Sequence, residues 1–65
     1  MMPHQERVIA EKSALDENLR RLGMFIGTKT FLGLPDSEQE RLKRQSRVMD
    51  EYSGILAERI EAFPH

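Results

Sequence analysis

The sequence predicts an all-α protein, an antiparallel αα-hairpin of two long helices at about residues 3–26 and 36–63. Three observations point there. Apolar residues recur every seven positions in two separate stretches. A short segment punctuated by Gly and Pro lies between them. No segment alternates with a period of two over a useful length, so no strand is expected.

The first helix opens at Pro3, whose missing N–H suits a first turn where that group has no partner. Val8, Leu15 and Leu22 form one heptad row, and Lys12, Leu19 and Ile26 a second, with Lys12 the polar intruder. At ~1.5 Å per residue this helix is roughly 35 Å long. Gly23 weakens its end, and Gly27 is the expected C-terminal cap.

Residues 28–35 connect the helices. Phe31, Leu32 and Leu34 are too apolar for a solvated loop and are expected to fold back as a plug for the closed end. Gly33 and Pro35 break the backbone there.

The second helix is the organising stretch. Leu42, Met49, Leu56 and Phe63 recur every seven residues, and Gln45, Tyr52 and Arg59 are read as the companion row. Asp36 or Ser37 is the expected N-cap, with Gln39 or Glu40 reaching back as in a capping box. Pro64 terminates the helix. Val48, Ile55 and Ala62 widen its apolar band, as Ile9 and Met24 widen that of the first helix. One partner helix cannot cover so much, so the hairpin is expected to associate with copies of itself. Gly54 is a mild defect in mid-helix, costing about 1 kcal/mol against Ala.

Size bears on the same point. Residues 1–65 make a single small domain, and a chain this short usually needs disulfides, a metal or oligomerisation. It contains no Cys, and its two His, His4 and His65, lie at opposite ends, so no metal site is expected. Eleven acidic against ten Lys and Arg residues give a net charge of -1, without the bias that DNA, RNA or a membrane surface would call for. The longest apolar runs are a few residues, so neither a signal peptide nor a transmembrane span is expected, and the cytoplasm is the expected compartment.

Catalysis finds little support. Asp16/Glu17 and Asp50/Glu51 are adjacent carboxylates pointing apart on a helix, the serines lack a nucleophile motif, and no glycine spacing fits a phosphate loop. The run Arg41, Lys43, Arg44 and Arg47 spreads around the second helix, with Glu40 and Glu51 four residues from Arg44 and Arg47, and reads as solvated helix surface rather than a nucleic-acid surface. An antiparallel hairpin does place Arg59 at the open end near His4, Gln5, Arg7 and Lys12. Arg suits forked hydrogen bonding of phosphate, and Lys supplies a point charge. The competing reading is that Glu6, Glu11, Glu58 and Glu61 neutralise this cluster as ordinary salt bridges.

The opening Pro3-His4-Gln5-Glu6-Arg7-Val8 and the closing Glu58-Arg59-Ile60 carry a wider likeness. Between them lie Leu15, Leu19, Leu22, Phe25, Leu42, Met49, Tyr52 and Leu56 at helical-seam spacing. This order resembles small phage and prophage proteins with the helical-hairpin domain of the anti-CBASS and anti-Thoeris cyclic-nucleotide sponges. The resemblance implies a hexameric, non-enzymatic protein without cofactor. Such a protein binds cyclic oligonucleotide messengers in the host cytoplasm and keeps them from their effectors. It implies phosphate-binding roles for Arg7 and Arg59; from the same open-end cluster Lys12 is expected to join them on phosphate, with His4 and Gln5 in support. A stacking aromatic ahead of the hairpin, usual in those sponges, has no counterpart before Phe25, so a cyclic trinucleotide is favoured over a dinucleotide. The alternative is a helical oligomerisation or protein-interaction module with no nucleotide ligand.

Overall fold

A computed structural model describes residues 2–64. Three helices follow in order: α1 (Pro3–Ile26), α2 (Lys29–Leu32) and α3 (Asp36–Glu61). The two long helices pack lengthwise on each other. Their register is antiparallel: Ser53 Oγ donates a hydrogen bond to Asp16 Oδ1, and nearer the open end Ile9 shares a groove with Ile60. The hairpin agrees with the sequence expectation at both ends of α1. Pro3 stands at the first helical position and Gly27 is the cap.

On α1 the rows read from sequence face α3. Val8 is buried, and Lys12, Leu15, Leu19, Leu22 and Ile26 are half-buried. On α3 one row holds and the other is corrected. Leu56 is fully buried and Leu42, Met49 and Phe63 are half-buried, whereas Gln45, Tyr52 and Arg59 are exposed. The companion row is Ser46, Ser53 and Ile60, four residues beyond each apolar position rather than three. Both spacings lie on a helical stripe. Serine gives no hydrophobic signal, and the aromatic ring of Tyr52 drew the reading to the wrong side.

The connector is more ordered than a loop. Thr28 caps α2, its hydroxyl accepting from the Phe31 N–H at 3.2 Å. Phe31 is 2% exposed and makes an edge-to-face contact with Phe25, ring centroids 6.1 Å apart. It is the plug, with Leu34 half-buried beside it, but Leu32 points to solvent at 69% exposure. Phe31 and Leu32 are neighbours on one short helix and cannot both face inward, because successive residues diverge by about 100°.

The start of α3 also departs from expectation. Pro35 is its N-cap, and Asp36 is already helical. The Pro35 carbonyl accepts from the N–H groups of Glu38 and Gln39, while the Gln39 amide donates to the Leu32 and Leu34 carbonyls. Gln39 therefore ties the helix to the connector and does not close a capping box. Helix α3 stops at Glu61, short of Phe63, with Ala62 as its cap.

The molecule is elongated, 48 × 14 × 13 Å, with a radius of gyration of 14.9 Å. A compact chain of this length would have one of about 11 Å. Among the described residues Val8, Phe31 and Leu56 are the buried apolar ones, with Gln5 and Ser53 the buried polar ones. So thin a core fits a chain that gains stability from further packing.

Candidate functional site

At the open end the antiparallel register sets the levels. Taking Asp16 opposite Ser53, Arg59 lies level with Ala10 and Arg7 level with Ala62. The two arginines are thus separated by ~4.5 Å along the helix axis. Both are exposed, as is His4. Among the described residues none of Glu6, Glu11, Glu58 or Glu61 forms an ion pair with them; the ion pairs present join other residues.

Lys12 and Gln5 are placed differently. Lys12 Nζ lies 2.6 Å from Asp16 Oδ2, and Asp16 Oδ1 accepts from Ser53. These hydrogen bonds, Lys12 first and Ser53 second, hold the Asp16 carboxyl below its ordinary value. Lys12 is therefore one end of a polar bridge across the helix seam. It lines a groove of about 470 Å³ with Ile9, Ser13, Asp16, Arg20 and Ile60, a set that contains neither Arg7 nor Arg59. Gln5 is buried at 7% exposure, and its side-chain oxygen accepts from the Met2 N–H at 2.9 Å. It secures the first turn of α1. The residues gathered from sequence thus separate into an exposed group, His4, Arg7 and Arg59, and two residues with structural partners.

Asp16 and Ser53 were missed as a pair. Half of the signal was visible, because Lys12 and Asp16 stand at i,i+4; Ser53 could be found only once the α3 seam was phased through the serines. Glu17 serves Arg20 and Arg21, at 2.6 and 3.1 Å, so the adjacent carboxylates do belong to separate networks.

A second basic feature lies toward the closed end. Ser37, Glu40, Arg41, Arg44 and Arg47 line one groove of about 420 Å³. The sequence reading spread these arginines around the helix; the structure gathers three of them on one side. Arg41 is paired with Glu38 at 2.9 Å, among the described residues Arg44 and Arg47 form no ion pair with Glu40 and Glu51, and Lys43 stands 6.0 Å from the Phe31 ring centroid. That distance is at the outer edge of a cation–π contact.

Among the described residues no cluster of three or more His, Asp or Glu side chains could hold a metal ion. Among the same residues no helix is long and apolar enough to cross a membrane. What the hairpin offers is exposed charge at its ends and uncovered apolar surface along α3, the attributes of a binding protein. The chain belongs to the Sequestin family, whose model matches residues 2–62. That match takes in both long helices and the connector, and the family's name denotes sequestration. No curated protein and no solved structure matches the chain.

Proposed function

We propose that this protein sequesters a cyclic oligonucleotide messenger of anti-phage immunity, most readily a cyclic trinucleotide, without altering it chemically. Membership of the Sequestin family across residues 2–62 carries the reading. The exposed pair Arg7 and Arg59 at the open end supports it, since a ligand with several phosphates needs cations not already committed elsewhere. Arg7 and Arg59 hold phosphate oxygens, and His4 assists. Lys12 joins them by exchanging Asp16 for a phosphate. Gln5 contributes by fixing the first turn of α1, just ahead of Arg7.

The site is assembled between protomers of a homo-oligomer, a hexamer by resemblance to the cyclic-nucleotide sponges, acting in the host cytoplasm. One slender hairpin offers no concavity that encloses a cyclic trinucleotide, and several copies meeting at their open ends would line one with arginines from each chain. Sequestration then works by mass action. An abundant binder lowers the free messenger below what its effector needs, and no bond is broken.

The test is thermal melting with a panel of cyclic di- and trinucleotides. A ligand at 100 times its dissociation constant stabilises by ~2.7 kcal/mol per site, enough to move Tm on the order of 10 °C in a domain of this size. The shift should vanish in Arg59→Ala with helix content unchanged, and the nucleotide should be recovered intact. Absence of a shift with every nucleotide, at concentrations that saturate related sponges, would overturn the proposal.

A second reading, a helical oligomerisation or protein-interaction module without nucleotide, draws on the exposed apolar side chains of α3. It predicts that Arg7→Ala and Arg59→Ala are neutral or mildly stabilising and that no cyclic nucleotide changes Tm.

A further inference from the structure

Of the aromatic side chains, Tyr52 is the one that lies in the open. Phe31 is buried against Phe25, and Phe25 and Phe63 are half-buried. Tyr52 is 41% exposed, because the seam of α3 runs through its neighbour Ser53 instead. A ring that no partner helix covers presents a π-face, and a nucleobase of any kind can stack on it.

The neighbours of the ring decide what it takes. Arg59 follows Tyr52 by seven residues, two helical turns, and stands on the same side of α3 about 10 Å further along. At 100° per residue both point about a quarter of a turn away from the α3 seam. Arg7, Glu11 and Asn18 point about a quarter of a turn away from the seam of α1. With the helices antiparallel, these displacements bring all five side chains to one side of the hairpin, and all five are exposed. Ile9, Ser13 and Asp16 turn the opposite way on α1 and line the groove with Lys12, to which none of the five belongs.

The register set by Asp16 and Ser53 fixes their order along the axis. Tyr52 and Asn18 come first, at the middle of the hairpin. Glu11 and Arg59 follow, and Arg7 stands nearest the open end. Each pair suits a different part of one nucleotide. The ring supplies a stacking platform, and the Asn18 amide beside it can both donate to and accept from a base edge. The Glu11 carboxylate repels phosphate but accepts from sugar hydroxyls. The two guanidinium groups beyond it suit phosphate. An acid in the middle of the row fits a ligand with a hydroxylated segment between its ring and its anion, and a bare anion would gain nothing from it.

We propose that this side of the hairpin binds one nucleotide unit, its base stacked on Tyr52 and read by Asn18, its sugar on Glu11 and its phosphate on Arg59 and Arg7. The inference rests on the sequestration reading and adds the base and sugar contacts to a site so far described by its phosphate contacts. It also makes Tyr52 and Asn18 the residues that set base preference and base affinity.

Tyr52 is the one Tyr in a chain without Trp, so its ring protons give a single set of NMR signals that reports on the site. The probes are adenine- and guanine-containing cyclic di- and trinucleotides, titrated into the full chain. A bound nucleotide should move the Tyr52 ring signals upfield. Tyr52→Ala and Tyr52→Leu should each weaken binding about ten- to a hundredfold, while Tyr52→Phe stays within about twofold of the wild type. Asn18→Ala should bring the affinities for adenine and guanine probes about tenfold closer together. All four positions of substitution are exposed, so helix content should be unchanged. Unmoved ring signals with a nucleotide bound, full affinity in Tyr52→Leu, or an unaltered base ratio in Asn18→Ala would overturn this inference and leave sequestration at the arginines standing. A panel in which no nucleotide binds would overturn both.

Discussion

Leu56 is the side chain on which the hairpin depends most, because it is fully buried in a chain with very few buried apolar residues. Truncating a buried Leu to Ala costs about 2–5 kcal/mol, a large part of what a domain this size has. Leu56→Ala should therefore lower the urea midpoint sharply, whereas the same change at exposed Leu32 should be close to neutral. Asp16 governs the acid response. Its carboxyl is held below the ordinary value by Lys12 and then Ser53, so its contribution is present above the unfolded value, about pH 4, and is lost as pH falls through the depressed one. Glu17, lowered chiefly by Arg20, works in the same direction. Urea melts at pH 7 and pH 3 should show the wild type losing stability toward acid and Asp16→Asn losing less. Equal losses in the two proteins would mean that the Lys12–Asp16–Ser53 bridge has no energetic role.

At the scale of the elements, α3 carries a defect that can be repaired. A Cβ built at Gly54 meets no neighbouring atom within 4 Å, and the residue lies off the seam that faces α1. Gly54→Ala should raise stability by about 0.5–1 kcal/mol, read as a higher thermal midpoint. A lowered midpoint would reveal another backbone packed against Gly54 in the assembled protein. The long helices were legible in the sequence because heptad spacing, Pro3 and Gly27 all spoke for the same boundaries. The N-cap of α3 was not, because Pro35 serves through its backbone carbonyl and leaves Gln39 free to bind the connector. The seam of α3 was half legible for a related reason. Ser46 and Ser53 sit where apolar residues were sought, and Ser53 is there because Asp16 on α1 offers it an acceptor, a pairing set by tertiary register. Of the site residues, Arg7 and Arg59 are at the open end as read, whereas the partners of Lys12 and Gln5 depended on local geometry that spacing alone does not fix.

For the whole molecule, shape and chemistry converge on association. A 48 Å rod with a radius of gyration of 14.9 Å has little interior to hold it together. Its exposed Val48, Tyr52 and Ile55 offer more apolar area than a lone hairpin can hide. Any stability drawn from copies must obey mass action, so melting has to depend on protein concentration in a way that no monomer shows. For a dimer each tenfold dilution removes about 1.4 kcal/mol of association free energy, and a hundredfold dilution should lower Tm by several degrees. Circular dichroism at two such concentrations checks this directly, and the midpoint should shift between them. A concentration-independent midpoint in the wild type would mean that the hairpin is self-sufficient despite its thin core. A binding site shared between chains would then require the ligand itself to bring the copies together, and the dependence on concentration should reappear only in its presence.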